Sequence, residues 1–398
     1  MDWLVPRQEL TENQMNAVDA SCDCHLLFIG PPGSGKTQIL LHRANDLAHI
    51  NNVSKEKFCI FIFTKVLSKY IRSAASILGI PLDSITTFDS WVYHFYKKSV
   101  SSTVPRKNKK TDYDGIRKGV LDYLNQNKDA PVFDFVMVDE GQDLDETAYK
   151  ILLLISEHIT VCADYRQQIY PYGAVEGEIA CYLGLDTAKI NLLDALRCSP
   201  YLVPLASSFI IDEKERSLFY EQTRAKSQTR ETPVLRIHDN VDNEKKDVAD
   251  VVRTRLRKNE SVAILLPKRA QISSMYNSLT AAGIEAETQT KLGPDLDFTT
   301  DNPKLLTYHS AKGLTFDCVI LPRLVNSVFK HESEEERKRL IFVGITRATQ
   351  WVFMSTVDGQ ILTEIEPLMF MPENGLTVQI GAPDETENSG HVGLDDLI

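Results

Sequence analysis

The amino-acid sequence predicts an α/β protein with two domains, each built around a parallel sheet. Short apolar runs rich in β-branched and aromatic residues alternate along the chain with amphipathic stretches of helical period. Strands that alternate with helices pair in parallel and are covered by helices on both faces. The alternation occurs in two series that divide near residue 190, and 398 residues are enough for two separate cores.

The elements follow from these runs in chain order. The strands expected in the first series are 24–29, 58–63, 133–138 and 159–162, and those in the second are 262–266, 305–308, 318–321 and 351–355. Residues 246–257 form an amphipathic helical pattern, with apolar side chains on one face. We therefore expect a first domain over residues 1–190 with a less regular insertion at about 93–130, a second domain over 191–371, and an acidic flexible tail over 372–398.

The charge balance excludes one class of nucleic-acid-binding protein. The chain has 44 Lys and Arg residues against 55 Asp and Glu residues, a net charge of −11, so it does not coat nucleic acid through net basicity. Residues 372–398 hold six of the acidic residues and no Lys or Arg. This composition predicts a solvated tail, and a docking peptide for a partner protein is the alternative.

Composition also indicates the compartment. No apolar run approaches the roughly 20 residues that a membrane-spanning helix needs, and the N-terminal residues lack the apolar core of a secretory signal. The seven cysteines include no Cys-x-x-Cys pair, so neither a zinc site nor a disulfide framework is indicated. We expect a cytoplasmic protein with no membrane partner.

A phosphate-binding loop is the most specific motif. Residues 30–37, GPPGSGKT, match the pattern GxxxxGK[ST] at every fixed position, directly after a predicted strand and before a helical stretch. Backbone N–H groups of such a loop converge on phosphate oxygens, the lysine neutralises phosphate charge and the threonine hydroxyl ligates Mg²⁺. The expected nucleotide-binding residues are Gly30, Pro31, Pro32, Gly33, Ser34, Gly35, Lys36 and Thr37. Lys36 is also a catalytic candidate.

An acidic cluster follows the predicted strand 133–138. Its residues 139–143, DEGQD, are expected at the carboxyl edge of a buried parallel strand, where α/β sheets bind their ligands. Hydrolysis at a phosphate loop needs a second Mg²⁺ ligand and a group that activates water. We expect Asp139 to be that ligand and Glu140 to be the general base.

Eight segments besides the phosphate loop resemble, in order, the motifs of superfamily 1 helicases of the UvrD/Rep type. They are 10–14, 61–65, 86–91, 139–143, 163–170, 193–199, 308–317 and 334–348. The resemblance implies two RecA-like domains with the nucleotide site in the cleft between them, and ATP and Mg²⁺ as cofactors. It makes Gln167 the residue that senses the γ-phosphate, Arg197 a phosphate contact and Arg347 an arginine finger.

The same resemblance implies the remaining nucleotide contacts. Gln14 corresponds to the glutamine that reads the adenine edge, although a helix capping box with Thr11 as N-cap is the alternative for this segment. Gln38, directly after the phosphate loop, and Gly313, in the segment 308–317, complete the expected cofactor-binding set.

The chain departs from the family pattern in ways that affect selectivity and size. Gln38 and Leu196 stand where a basic residue and an aromatic residue usually sandwich the adenine, and Thr315 replaces a ribose-contacting glutamate. We therefore expect hydrolysis with only a modest preference for ATP. The two insertions that carry accessory domains in larger helicases are about 40 and 20 residues long here, which predicts a minimal two-domain motor.

Nucleic-acid contacts are expected to be local, because bases stack on aromatic faces and phosphates need nearby donors. By motif position, Phe63, Trp91 and Tyr170 are candidate stacking residues, and a core position is the alternative for each. Lys65 and His309 are candidate phosphate contacts. The basic run 106–110 either grips a backbone or is a solvated loop.

Two functional hypotheses remain open at this point. The leading one is an ATP-dependent translocase or helicase that hydrolyses ATP to ADP and phosphate on single-stranded DNA, with RNA as the alternative strand. Its 3′ to 5′ polarity is implied by the resemblance alone. The other is a nucleotide-switched regulatory ATPase subunit that acts with a nuclease or another effector. A protein partner would bind the acidic tail or replace the missing accessory domains.

Overall fold

The computed structural model describes residues 4–50, 53–54, 56–75, 77–127, 133–168, 173–185, 189–192, 199–223, 231–370 and 376–381. Its strands are β1 (Leu26–Ile29), β2 (Phe58–Ile62), β3 (Ile85–Thr87), β4 (Arg106–Lys107), β5 (Lys110–Thr111), β6 (Phe133–Val138), β7 (Ser156–Ala163), β8 (Lys189–Asn191), β9 (Val234–His238), β10 (Val262–Leu266), β11 (Glu287–Thr288), β12 (Lys304–Thr307), β13 (Phe316–Leu321), β14 (Ala348–Val357) and β15 (Thr377–Ile380).

The α-helices are α1 (Glu12–Val18), α2 (Lys36–Ile50), α3 (Lys65–Ala75), α4 (Phe88–Phe95), α5 (Tyr113–Gln126), α6 (Glu146–Ile155), α7 (Glu176–Tyr182), α8 (Leu202–Ser207), α9 (Glu213–Gln222), α10 (Val241–Arg257), α11 (Arg269–Ala281), α12 (Tyr308–Ala311) and α13 (Glu334–Ile345). A π-helical turn, Tyr96–Val100, continues α4. None of the helices in the described ranges is both long enough and apolar enough to span a bilayer.

Two parallel sheets organise the chain. The first has the strand order β3-β2-β6-β7-β1-β8, and the second has the order β11-β12-β10-β13-β14-β9-β15. Every strand pairing within these two sheets is parallel. Parallel neighbours need crossover connections, which the helices between them provide. The prediction of an α/β protein with two parallel sheets is confirmed.

The strands pack on both faces, as their apolar sequences require. On β13, Cys318 and Ile320 pack in a cluster with residues of α10 and α11, whereas Val319 and Leu321 face a larger cluster on the opposite side. That larger cluster also contains residues of the first sheet, such as Phe28 of β1. Because alternate side chains point to opposite faces, one face of each sheet contributes to a core that both sheets share.

Several short strands were not predicted, and one of them corrects the expected tail. β15 lies within residues 372–398 and pairs with β9 at the edge of the second sheet, from Thr377↔Val234 to Ile380↔Ile237. Four residues of the predicted flexible tail are therefore a sheet strand, because Thr-Val-Gln-Ile has the branched side chains that favour pairing. Residues 371–375 and 382–398 lie outside the described residues.

The insertion at 93–130 is more regular than its sequence suggested. It contains the π-helical turn, the β4–β5 hairpin and α5, whose Arg117 forms ion pairs with Asp89 (2.6 Å) and Asp145 (2.7 Å). The basic run 106–110 forms an exposed antiparallel hairpin, which leaves both of its expected roles open. At the other expected boundary, β8 pairs with β1 as far as Asn191, so the first sheet continues just past residue 190.

Candidate active site

The phosphate-binding loop connects β1 to α2, as its motif predicts. Gly33 (φ +79°) and Gly35 (φ +85°) adopt left-handed backbone conformations that other residues rarely adopt. A Cβ atom at Gly30 would lie 2.4 Å from Ser34 Oγ and 3.0 Å from Leu192 Cβ, so a side chain at this position would require its neighbours to move. Lys36 Nζ donates to the carbonyl oxygens of Gly30 (2.7 Å) and Pro31 (3.0 Å), which holds the ammonium group over the loop.

Gln14 caps a helix and also contacts the phosphate loop. Thr11 and Gln14 form a reciprocal capping box at the start of α1. In addition, Gln14 Nε2 donates to the carbonyl oxygen of Ser34 in the phosphate loop over 2.9 Å. A Cβ at Gly35 would lie 2.5 Å from the same nitrogen. The capped helix therefore positions the Gln14 amide against the loop, while its contact with a base remains a prediction.

Thr37 and Asp139 meet as the expected Mg²⁺ ligands would. Thr37 Oγ1 donates to Asp139 Oδ2 over 2.7 Å, which joins the start of α2 to the end of β6. Burial, together with the neighbouring charge of Glu140, raises the pKa of Asp139 to about 6. Mg²⁺ binds oxygen ligands and commonly uses one or two protein groups beside phosphates and water. A hydroxyl paired with a buried carboxylate fits this ion.

Glu140 lies in a strained turn and is surrounded by positive charge. Its backbone is left-handed (φ +56°), which costs about 1 kcal/mol for a residue with a side chain. Burial acts to raise the pKa of Glu140, but the positive charges of Lys312, Lys36 and Arg347 outweigh it and hold the pKa below its ordinary value. The carboxylate is thus kept ionised, the form that a general base requires.

A continuous chain of hydrogen bonds leads from Glu140, beside the first sheet, to Arg347, beside the second. Gln142 Nε2 donates to Glu140 Oε2 (2.6 Å), and Gln142 Oε1 accepts from the backbone N–H of Asp164 (3.0 Å). Gln167 Nε2 donates to Asp164 Oδ2 (2.8 Å), and Gln167 Oε1 accepts from Arg347 Nη2 (2.6 Å). Gln142 and Gln167 each bond through both the nitrogen and the oxygen of the side-chain amide. A displacement of Glu140 or of Arg347 therefore strains the next hydrogen bond in the series.

Arg347 is buried at the junction between α13 and β14. Its Nε donates to Val343 O (3.1 Å) and its Nη1 donates to Leu314 O (3.3 Å), so segments beside the second sheet fix the guanidinium that reaches Gln167. Burial lowers the pKa of Arg347, and the carboxylates of Glu140, Asp164 and Asp139 act in the opposite direction. The side chain directs its positive charge at the carboxylates that follow β6 and β7 of the first sheet.

Lys312 is a further residue of the site that the sequence reasoning did not select. It is fully buried, donates to Asp143 Oδ2, and lies 3.6 Å from Glu140 Oε2. Burial is the main reason that the pKa of Asp143 is raised to about 6, although Lys312 opposes the shift. The sequence feature that could have indicated Lys312 is its position in the motif-like segment 308–317, immediately before Gly313. Its ion pairs join the two sheets. The sequence could not predict them, because the paired residues are far apart along the chain.

The cleft between the two sheets collects most of the predicted nucleotide contacts. Its lining includes Pro32, Gly33, Gly35, Lys36, Thr37, Gln38, Tyr70, Glu140, Gln167, Gly313, Thr315 and Arg347. Gly313 is left-handed (φ +80°), and a Cβ there would lie 2.7 Å from Leu67 Cδ2 of α3. Tyr70 was not predicted; its ring packs edge-on against Phe298 at 5.2 Å, so α3 contacts the segment that precedes β12 of the second sheet. Arg197 lies outside the described residues.

The candidate nucleic-acid residues separate into two groups. Phe63 and Lys65 line an open cavity of about 530 Å³ beside β2, β3 and β6, in the first domain. Trp91 is not among the described lining residues; its ring packs between Phe95 (5.1 Å), Phe61 and Phe133, which favours the core alternative. Tyr170 lies outside the described residues.

His309 lies on α12, directly after β12 of the second sheet. Burial, followed by the charge of Lys312, lowers its pKa below 6.5, so the imidazole is biased towards the neutral form. A neutral imidazole can donate one hydrogen bond to a phosphate but contributes no charge. The proposed phosphate contact therefore remains a prediction of hydrogen bonding only.

Comparison with known proteins agrees with the order of these features. An AAA domain model matches residues 14–172, and a UvrD-like helicase C-terminal domain model matches residues 290–359. The ATP-dependent DNA helicase PcrA of Bacillus subtilis is 47% identical over 65 residues, which cover 15% of this chain and 9% of PcrA. The match thus spans less than a tenth of that relative's length.

A solved structure is also similar over part of the chain. It is the C-terminal domain of a possible DNA helicase from Lactobacillus plantarum, with 15% identity, a TM-score of 0.36, and coverage of 46% of this chain and 99% of that one. The two family matches flank the cleft, one on each side, and contain its phosphate loop and its arginine. Over these two segments, this chain therefore resembles the superfamily 1 helicases of the UvrD/Rep type.

Proposed function

We propose that this protein is an ATP-dependent translocase or helicase on single-stranded DNA, with 3′ to 5′ polarity as in the family that it resembles. The observation that carries the proposal is the bond of Arg347, held by the second domain, to Gln167 beside the phosphate loop of the first. An arginine delivered across a cleft stabilises phosphoryl transfer only when the cleft is closed. Hydrolysis would then report the relative position of the two domains.

The contacts of each residue support the role that we propose for it. Lys36 and the loop N–H groups hold the phosphates, and Thr37 and Asp139 would hold Mg²⁺, which supplies charge neutralisation to the β- and γ-phosphates when bound. Glu140, kept ionised by surrounding cations, accepts the proton of the attacking water. Gln167 responds to the γ-phosphate and passes its position to Arg347 through their shared hydrogen bond.

Movement along a strand requires that the nucleotide state change the spacing of the domains. Lys312 of the second domain bonds to Asp143 of the first, and Gly313 lies close to Leu67 of the first. The residues at the cleft therefore also form contacts between the domains. If each domain holds the strand, alternate closing and opening of the cleft becomes a step along it. A protein partner in place of the short insertions is part of the same proposal, because those insertions supply little surface of their own.

The test is an ATPase assay with and without single-stranded DNA and RNA, beside a strand-displacement assay. We expect a several-fold stimulation by single-stranded DNA, and loss of turnover in Lys36→Ala and Glu140→Gln. Glu146→Gln is a matched control, because Glu146 is an exposed carboxylate that pairs only with Lys150 across one helical turn in the described structure. Absence of stimulation by any single strand would refute the translocase.

The same assay separates the alternative function. A regulatory ATPase subunit predicts slow hydrolysis that nucleic acid does not change and a partner complex whose affinity depends on nucleotide.

Comparison of all four nucleoside triphosphates tests selectivity, since Gln38 lines the cleft where a stacking cation is usual. We expect ATP to be preferred only modestly.

A further inference from the structure

The β4–β5 hairpin in the first domain carries a concentrated positive charge. Arg106 pairs with Thr111 and Lys107 pairs with Lys110, with Asn108 and Lys109 between the strands. Asn108 (φ +51°) and Lys109 (φ +65°) are both left-handed, as a two-residue type I′ turn requires. All four basic residues of the hairpin are exposed, and the segment 105–111 contains no acidic residue.

Two features of the hairpin bear on the role of this charge. The second turn position of a type I′ hairpin is usually glycine, and a lysine there costs about 1 kcal/mol of backbone strain. Among the described residues, the structure gives none of the four basic side chains an ion pair, although the whole chain has a net charge of −11. The positive charge is therefore local and available to an external partner.

The base of the hairpin is firmly attached to the domain. The backbone N–H of Asp112 donates to Pro105 O (3.0 Å), and the Asp112 carboxylate caps α5 by accepting from Gly115 N (3.2 Å). A Cβ at Gly115 would lie 2.8 Å from Asp112 Oδ2, so this junction is closely packed. One turn further, Arg117 binds two carboxylates. The four cations therefore extend from an anchored support.

The hairpin stands at the rim of the cavity that Phe63 and Lys65 line. Thr111 of β5 and Tyr113 of α5 belong to the same lining. Cross-strand partners share one face of a hairpin, whereas successive residues point to opposite faces. Arg106 therefore shares the cavity-side face with Thr111. Lys107 and Lys110 share the opposite face, and Lys109 lies at the tip.

We propose that the hairpin binds the sugar–phosphate backbone at a junction of single-stranded and duplex DNA. Arg106 contacts the strand that enters the cavity, and Lys107 and Lys110 contact the adjoining duplex. A single strand in the cavity meets one face of the hairpin only, so the cations of the other face need a second length of backbone. Duplex DNA offers one phosphate per roughly 1.7 Å of axis, which suits closely spaced cations. This inference rests on the proposed function.

The experiment compares Lys107→Gln/Lys110→Gln with the unaltered chain on forked DNA and on single-stranded DNA, over a range of salt concentrations. Each lost phosphate contact should reduce the slope of log affinity against log salt by about 0.9. We expect the slope for the fork to fall by about 2 and the fork affinity at 100 mM salt to fall about tenfold or more. Single-strand affinity and ATPase stimulation should stay unchanged.

Two further variants make the test specific. Arg106→Gln should weaken single-strand binding as well, because its side chain lies on the cavity side. Lys246→Gln/Arg257→Gln removes the same charge from exposed positions on α10 and should leave the affinity for forked DNA and for single-stranded DNA unchanged. An unaltered salt slope on the fork for Lys107→Gln/Lys110→Gln would overturn the inference. Failure of the unaltered chain to bind any DNA would instead overturn the proposed function.

Discussion

Arg347 Nη2 donates to Gln167 Oε1 over 2.6 Å, and this bond completes a chain of hydrogen bonds that begins at Glu140. The chain passes through Gln142 and through both the backbone N–H and the carboxylate of Asp164, and it contains no solvent-exposed member. A buried polar network of this kind strengthens each bond and penalises each unmade one. It therefore couples the proposed base in one domain to the proposed arginine finger in the other.

Arg347→Lys should reduce the ATPase kcat by about 10³-fold and leave nucleotide affinity nearly unchanged. Lysine keeps the charge but cannot hold Val343 O and Leu314 O while it also reaches Gln167. Steady-state kinetics with a separate nucleotide-binding titration measures the two effects. Arg337→Lys is the matched control, because Arg337 pairs with Glu364 away from the cleft. Equal losses in the two variants would contradict the role of Arg347.

Thr37→Val should raise the Mg²⁺ concentration needed for half-maximal ATPase activity by about tenfold, because it removes one of the two expected protein ligands. Thr37→Ser retains the hydroxyl that contacts Asp139 and should restore most of the Mg²⁺ affinity. Titration of activity with Mg²⁺ at saturating nucleotide measures the effect. A Val variant with an unchanged Mg²⁺ titration would remove Thr37 from the metal site.

Lys312→Met should lower the free energy of unfolding by about 3 kcal/mol, because it leaves the carboxylates of Asp143 and Glu140 buried without their cation. Urea unfolding measures this loss. Adding Asp143→Asn should recover part of the stability, since the buried charge opposite Met is then removed. A simple sum of the two single-variant effects would show that the pair is not coupled.

A matched control tests whether Lys312 contributes to ATPase activity as well as to stability. Lys304 is similarly buried and pairs with Glu287 at 2.8 Å, in a different ion pair. Lys304→Met should destabilise the protein by a similar amount while its ATPase activity at low temperature persists. Lys312→Met should lose activity under the same conditions, because it removes the cation that lies 3.6 Å from Glu140 Oε2 in the proposed site.

The local parts of the site could be predicted from the sequence, and the contacts between domains could not. The phosphate loop depends on one strand, one turn and one helix, so its spacing alone places Lys36 and Thr37. Lys312 and Asp143 are 169 residues apart, and nothing in a single sequence indicates that they meet. Trp91 illustrates the same limit, since an aromatic residue in a motif position packs equally well in a core.

The fold was predictable where strands were long and apolar. β6 and β10 have the predicted bounds, because buried central strands are continuous hydrophobic runs. β3, β8 and β15 have three or four residues each and lie at sheet edges, where one side is unpaired and the apolar signal is weak. β9 was missed because its VLRIH sequence includes a buried Arg236, which is satisfied by Asp247 and Gln379.

His158→Gln should make the stability of the protein less dependent on pH between 6.5 and 4. Burial, with the adjacent charge of Arg43, lowers the pKa of His158 to about 4, and Arg43 Nη2 lies 3.2 Å from His158 Nε2. The unfolded state therefore binds more protons in this range, and stability falls as the pH decreases through it. The depressed pKa corresponds to about 3 kcal/mol at pH 4.

Glutamine can accept the hydrogen bond of Arg43 without titrating, so the variant should lack that part of the acid destabilisation. Urea unfolding of both proteins at intervals between pH 4 and pH 7.5 measures the difference, which should grow as the pH falls. His331→Gln is the control, because His331 is exposed and its substitution should leave the pH profile unchanged. A His158→Gln profile parallel to that of the unaltered chain would mean that His158 does not stay neutral in the folded protein.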